Sequence, residues 1–141
     1  MDTTEKKDVI AKNQWFNHPI QKVWEAITNT EQVSKWLVPT NFKAEVGFQY
    51  ALHDPKAECN VVTGTVLKAS PYTLVYSWIN ETVKDVETLI TWELTEENGG
   101  TRLSMTHSGI SNYSKAQMND MIDSYSSGWI RCFDNLNELL P

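Results

Sequence analysis

Ile90-Thr91-Trp92-Glu93-Leu94-Thr95-Glu96-Glu97-Asn98-Gly99-Gly100-Thr101-Arg102-Leu103-Ser104-Met105-Thr106-His107 is the stretch that decides the fold. Ile90, Trp92 and Leu94 alternate with polar neighbours, and Leu103, Met105 and His107 do the same after the Glu96 to Gly100 turn, so the two runs read as a β-hairpin. Beyond Ser108-Gly109 the period changes. Met118, Ile122, Tyr125, Trp129, Phe133, Leu136 and Leu140 recur at spacings of three and four and fall on one helical stripe. A sheet followed by a long amphipathic helix that must cover something argues for an α+β architecture. Ser126, Ser127 and Gly128 are poor helix formers, so a break or a late start is expected there, unless Gly128 faces the sheet to allow close packing.

Upstream of the hairpin, residues 8 to 17 carry Val, Ile, Trp and Phe without breakers and predict a first strand ending at His18-Pro19. Pro19 is placed to open a helix in its first turn, with Val23, Trp24 and Ile27 on its apolar face. A second short helix, capped by Thr30 with Glu31 in its first turn, offers Val33, Trp36 and Leu37 before Pro39 stops it. Three further strands alternate at period two: Phe48, Tyr50 and Leu52; Val62, Gly64 and Val66; then Leu74, Tyr76 and Trp78 after Ser70-Pro71.

The 141 residues suit one domain with an ordered core from about 8 to 140; chains of about 150 residues bury roughly 68–70% of their unfolded surface without help from disulfides or metals. The net charge of -6 and the lack of a basic stripe argue against nucleic acid and anionic membranes as partners. The polar N-terminus and the absence of any run of 18 apolar residues argue against a signal region and membrane insertion, and a cytoplasmic location is expected. Cys59 and Cys132, far apart in sequence, read as two buried thiols rather than a disulfide or a zinc site, and no cofactor or metal is implied.

Ordered motifs carry a closer likeness. Pro19-Ile20-Gln21-Lys22-Val23-Trp24-Glu25-Ala26-Ile27-Thr28, Trp36-Leu37, Val46-Gly47, Leu74-Val75-Tyr76-Ser77-Trp78, Gly100-Thr101-Arg102-Leu103, Thr106-His107-Ser108-Gly109 and Gly128-Trp129 together resemble the activator of Hsp90 ATPase homologue 1-like family of the START-like superfamily, from about Val9 to Leu140. The resemblance implies the helix-grip fold: a curved antiparallel sheet of about six or seven strands gripping the long C-terminal helix, with two short helices after the first strand and an apolar cavity between sheet and helix. It does not itself assign a function.

Six tryptophans bear on that cavity. The candidate pocket set is Trp36, Phe48, Tyr50, Tyr76, Trp78, Trp92, Met105, His107, Met121, Trp129 and Phe133, with Met118 nearby. The same residues serve equally as a sheet-to-helix core, and the polar ends of the tyrosines and indoles need partners when buried. A magnitude bears on the choice. Ligand pockets start at about 300 Å³, and a rigid dry void costs roughly 24 cal/mol per Å³, so even the smallest would cost about 7 kcal/mol against a domain's total of about 5–15. A cavity here is therefore expected to hold water or ligand, or to be filled in part by flexible Met side chains. Trp24 is assigned to packing on the first helix, and Trp15 to a surface anchor or to packing beneath a loop.

His107 falls on the inward face with Leu103 and Met105, as either a structural histidine bonded to backbone or an acid–base group. His18 and His53 are expected to be exposed, His53 in a loop. Arg102, Glu87 and Glu93 point outward by register, and the acidic stretches Glu81 to Glu87 and Glu93 to Glu97 read as solvated turns and faces. No G-x-S-x-G, phosphate loop or HExxH is present. The leading expectation is a non-enzymatic protein that binds a small apolar or aromatic molecule of lipid, polyketide or flavonoid-like type. A chaperone cofactor of Hsp90 type stands second, since the family's eukaryotic activator carries a separate N-terminal domain for which 141 residues leave no room. A cyclase- or hydrolase-like enzyme using His107 is third.

Overall fold

The computed structural model describes residues 9–54 and 59–141. Six strands, β1 (Val9–Phe16), β2 (Gln49–Asp54), β3 (Cys59–Ser70), β4 (Thr73–Asn80), β5 (Glu87–Glu97) and β6 (Gly100–Ser108), form one curved antiparallel sheet in the order β1-β6-β5-β4-β3-β2. The hairpin between β5 and β6 turns on Asn98 (φ 50°) and Gly99 (φ 80°). Positive φ at both central residues matches the right-handed twist of the flanking strands, and Asn-Gly tolerates it best. From that turn the register runs Glu97↔Gly100, Leu94↔Leu103, Trp92↔Met105 and Ile90↔His107, which puts the alternating apolar set on one face.

Helices α1 (Ile20–Thr28) and α2 (Thr30–Trp36) carry the chain from β1 at one edge of the sheet to β2 at the other. Pro19 stands at the cap of α1 rather than in its first turn, and its carbonyl accepts from the amides of Lys22 and Val23. The cap of α2 is also one residue earlier than the sequence suggests. Asn29 Oδ1 accepts from Gln32 N at 3.1 Å, which frees the Thr30 hydroxyl to donate to the Phe42 carbonyl. A short carboxamide reaches the N3 amide of the helix as well as a hydroxyl does.

The last helix, α3 (Lys115–Leu139), is capped by Ser114, whose side chain accepts from Gln117 N. It runs unbroken through Ser126-Ser127-Gly128, contrary to the expected interruption. Nor does Gly128 press on the sheet, because a methyl group added there would meet nothing within 4 Å. Tertiary packing of the apolar stripe outweighs a propensity loss of about 1 kcal/mol. The close approach falls instead at Gly64 in β3, where an added Cβ would lie 2.0 Å from the Ser77 carbonyl oxygen and 2.8 Å from the Tyr50 ring. Glycine there lets the Tyr50 phenol cross β3 and donate to Ser77 O at 2.5 Å.

His53 belongs to β2, not a loop, and its amide is bonded to Pro39 O. His18 is half-buried in the β1–α1 turn with Nε2 2.8 Å from Pro141 O. Trp15 is half-buried too: its indole donates to Glu97 O at 2.7 Å and its ring covers Gly100, so it packs against the β5–β6 turn. Trp24 is buried edge-on to Tyr72.

Candidate functional site

Trp92 is the hub of the space between sheet and helix. It is fully buried, stacks on Phe133 with centroids 5.9 Å apart, and meets Trp36 and Trp129 edge-on at 5.4 and 5.9 Å. Next to it Tyr50, Tyr76 and Phe42 form a trio of mutual edge contacts at 5.2–5.5 Å. The Tyr76 hydroxyl accepts from Trp92 Nε1 at 2.9 Å, while the Tyr50 hydroxyl serves Ser77. Burial pushes both phenols above their ordinary range, so they stay neutral donors and acceptors at any physiological pH. Phe48 is half-buried at the edge of this core, and Met105 lies wholly inside it.

His107 of β6 is fully buried and bonded to side chains of β5 and α3. Its Nδ1 accepts from Trp129 Nε1 at 3.0 Å, and its Nε2 lies 2.8 Å from Thr88 Oγ1. An indole can only donate, so Nδ1 carries no proton and the ring is the Nε2–H tautomer, donating to Thr88. Thr88 in turn donates to the Trp78 carbonyl at 3.2 Å. Burial drives the imidazole down to about 3 because the charged form loses water and gains no anion. The ring is held inside the fold by side chains and not by the backbone that one reading expected.

Beside this core lies a half-open cleft of about 390 Å³, within the range of about 300–1,000 Å³ usual for small-molecule sites. Its walls come from four places: Trp36 and the following Leu37-Val38 at the end of α2, Leu52 of β2 with Val61 and Val62 of β3, Trp78 of β4, and Tyr125, Trp129 and Cys132 of α3. Ser124, Gly128, Arg131 and Asn135 add a polar margin along the helix. Asn135 Nδ2 holds the Trp36 carbonyl at 3.3 Å, tying α3 to α2 across one end. Burial raises the Cys132 thiol to about 12, which leaves it a protonated, unreactive part of the wall. The Cys59 side chain lies outside the described residues.

Of the eleven candidate residues, Trp36, Trp78 and Trp129 line this cleft. Tyr50, Tyr76, Trp92, Met105, His107 and Phe133 lie in the core behind or beside it. Met121 stands apart with Met118 and Ile122, packed on a second small cluster of Val86, Ile110 and Tyr113. Among the described residues no methionine lines the cleft, so filling by flexible Met side chains, one of the expected alternatives, is not seen there. The sequence reading missed the helix margin, although Ser124, Gly128, Arg131 and Asn135 recur at spacings of four, three and four, a second stripe of small and polar residues beside the apolar one.

One polar atom in the wall is unpaid. The Trp78 side chain is 6% exposed, and its Nε1–H has no hydrogen-bond partner, the single such buried side-chain group among the described residues. An unpaired buried donor costs roughly 1–3 kcal/mol.

Other chemistry is sparse. Among the described residues no three His, Cys, Asp or Glu side chains are grouped to hold a metal ion, and no helix is long and apolar enough to cross a membrane. Arg102 faces outward and pairs with Glu97 at 2.6 Å on the surface.

Over residues 17–141 the chain matches the sequence model of the family described as Activator of Hsp90 ATPase homolog 1-like protein. The chain belongs to that family. Its fold is shared with protein MLL2253 from Mesorhizobium loti, at 25% identity, a TM-score of 0.81, and coverage of 94% of this chain and 96% of that one. CalU16 from Micromonospora echinospora is similar at 23% identity and a TM-score of 0.76, covering 94% of this chain and 75% of that one. PFC0360w, an HSP90 activator from Plasmodium falciparum, is similar at 16% identity and a TM-score of 0.78, covering 94% and 95%. No curated protein matches the sequence.

Proposed function

We propose that this family member binds a small apolar or aromatic molecule in the cleft between the sheet and α3. The observation that carries the reading is the cleft's make-up: aliphatic and indole walls from α2, β2, β3, β4 and α3 around about 390 Å³, margined on one side by Ser124, Arg131 and Asn135. Apolar walls with a few polar groups at the edge are how such sites supply affinity and orientation. His107 adds no acid–base chemistry to it, since both ring nitrogens are engaged inside the core. We therefore favour a binding protein over an enzyme.

Native mass spectrometry of the purified protein, followed by a thermal-shift screen of lipids, polyketides and flavonoid-like compounds, tests the reading. A ligand at 100 times its dissociation constant should add about 2.7 kcal/mol of stability. Gly128→Leu, which fills the cleft from its helical wall, should abolish that gain. No copurified or stabilising molecule, or binding indifferent to Gly128→Leu, would overturn the proposal.

The family match supports a second reading, engagement of an Hsp90-type chaperone. Unchanged ATPase turnover of a purified Hsp90 and no detectable complex would dispose of it.

A further inference from the structure

We infer that the molecule taken into the cleft is an amphiphilic carboxylate, with an apolar chain or ring system against the cleft walls and its acid group at the rim, paired with Arg131. The inference rests on the small-molecule reading above and names the ligand class for the same cleft. Among the described residues that line it, Arg131 alone carries a charge; the others are apolar or uncharged, and none is Asp, Glu or Lys. On a chain of net charge -6, the one charge at the cleft has the minority sign.

The helix explains why its own chain does not neutralise that charge. The residues one turn from Arg131 on α3 are Ser127, Gly128, Asp134 and Asn135. Asp134, the only acid of the four, belongs to the other flank of the helix, where it lines a groove with Ile130 and residues 11–14 of β1. Glu138, the next acid toward the C-terminus, is seven residues on, about 10 Å along the helix axis. Among the described residues there are two ion pairs, Lys84 with Glu81 and Arg102 with Glu97, and Arg131 is in neither. Burial raises the Cys132 thiol, and the positive charge of Arg131 pulls it part of the way back, so that charge is felt at the cleft wall, of which Cys132 is a part.

An exposed cation beside buried apolar walls sets the polarity of the ligand. Arg131 is exposed and keeps its water in the empty cleft, whereas Trp36, Leu52, Val62 and Trp129 are buried. A hydrocarbon filling the cleft would take some of that water away and give nothing back, and an amine would bring a like charge. A carboxylate presents two oxygens in the plane that a guanidinium matches, and its single charge balances a single cation. Asn135, one turn on, gives one amide proton to Trp36 O and keeps a second for an acceptor at the rim.

Three probes built on one ring test this: 1-naphthaleneacetate, 2-(1-naphthyl)ethanol and 2-(1-naphthyl)ethylamine, which end the same short chain in a negative charge, no charge and a positive charge. Each is titrated at neutral pH into ¹⁵N-labelled protein while the indole resonances of Trp36, Trp78 and Trp129 report seating in the cleft. The acid should bind about tenfold more tightly than the alcohol, and the amine more weakly than either. Arg131→Gln, at an exposed position where a polar substitution leaves the fold intact, should remove the advantage of the acid, and Arg131→Lys should keep part of it. Arg102→Gln takes the same charge from the outer surface and should keep all of it. Equal affinities of acid and alcohol, an advantage that survives Arg131→Gln, or one lost equally in Arg102→Gln would overturn the inference, while seating of the alcohol would leave the cleft's ligand reading intact. Binding of none of the three, with all three indole resonances unmoved, would overturn both.

Discussion

The apolar stripe of α3 keeps one spacing from Met118 to Leu140, yet its two halves live in different surroundings. Trp129, Phe133 and Leu136 are buried, with Trp129 and Phe133 pressed on Trp92 of the sheet. Met118, Met121 and Ile122 are half-buried and, with Val83, pack on Val86, Ile110 and Tyr113 from the β4–β5 connection and the turn after β6. Tyr125 stands at the junction, touching both clusters and the cleft. The sheet grips only the second half. A helical stripe announces that a face is covered, but its period is blind to what covers it.

Substitutions in the two halves should separate them sharply. Trp129→Ala removes a buried indole and leaves His107 Nδ1 without its donor, so urea denaturation should show a loss of about 4–5 kcal/mol. Met121→Ala should cost about 1 kcal/mol, because a half-exposed side chain takes less area from water. Equal losses would mean that the first half is as much a part of the core as the second.

The buried imidazole sharpens the contrast through pH. His107 is held at about 3 in the fold against about 6.5 in the unfolded chain. The unfolded state then binds the extra proton, so the stability is fully present above about pH 6.5 and is lost as pH falls toward 3. By pH 5 the loss should reach about 2 kcal/mol. Chemical denaturation at pH 7 and 5 measures it, and in His107→Gln the slope should flatten. An unaltered slope would place the titrating group elsewhere.

The smallest effect belongs to the cleft side of the helix. Gly128 has open space where a Cβ would go, so Gly128→Ala should stabilise the protein by about 0.5–1 kcal/mol. A loss in melting temperature instead would mean that the glycine is packed more closely than its surroundings indicate.

The order of elements was legible because each rests on a local rule. Period two in β5 and β6, Asn98-Gly99 at their turn and period 3.6 in α3 need no knowledge of the partner. The errors were local competitions of nearly equal outcome: Asn29 against Thr30 as cap, and propensity against packing at Gly128. The candidate site was less legible. Trp36, Trp78 and Trp129 were visible as bulky aromatics on inward faces, but so were Trp92 and Phe133, which lie in the core. Leu37, Val38, Val61 and Val62 gave no signal at all, since an aliphatic residue that lines a cleft looks the same in sequence as one that fills a core.

From residues alone follow the antiparallel strands, the amphipathic helix and the aromatic weight between them, because these depend on backbone geometry and on neighbours within a few positions. Which indoles meet each other, which histidine nitrogen is left without a proton, and that the Trp78 N–H is left over were decided only in three dimensions. Hydrogen-bond satisfaction is a property of groups brought together from β4, β5, β6 and α3, residues 10 to 50 or more positions apart in the chain, and no local pattern carries it.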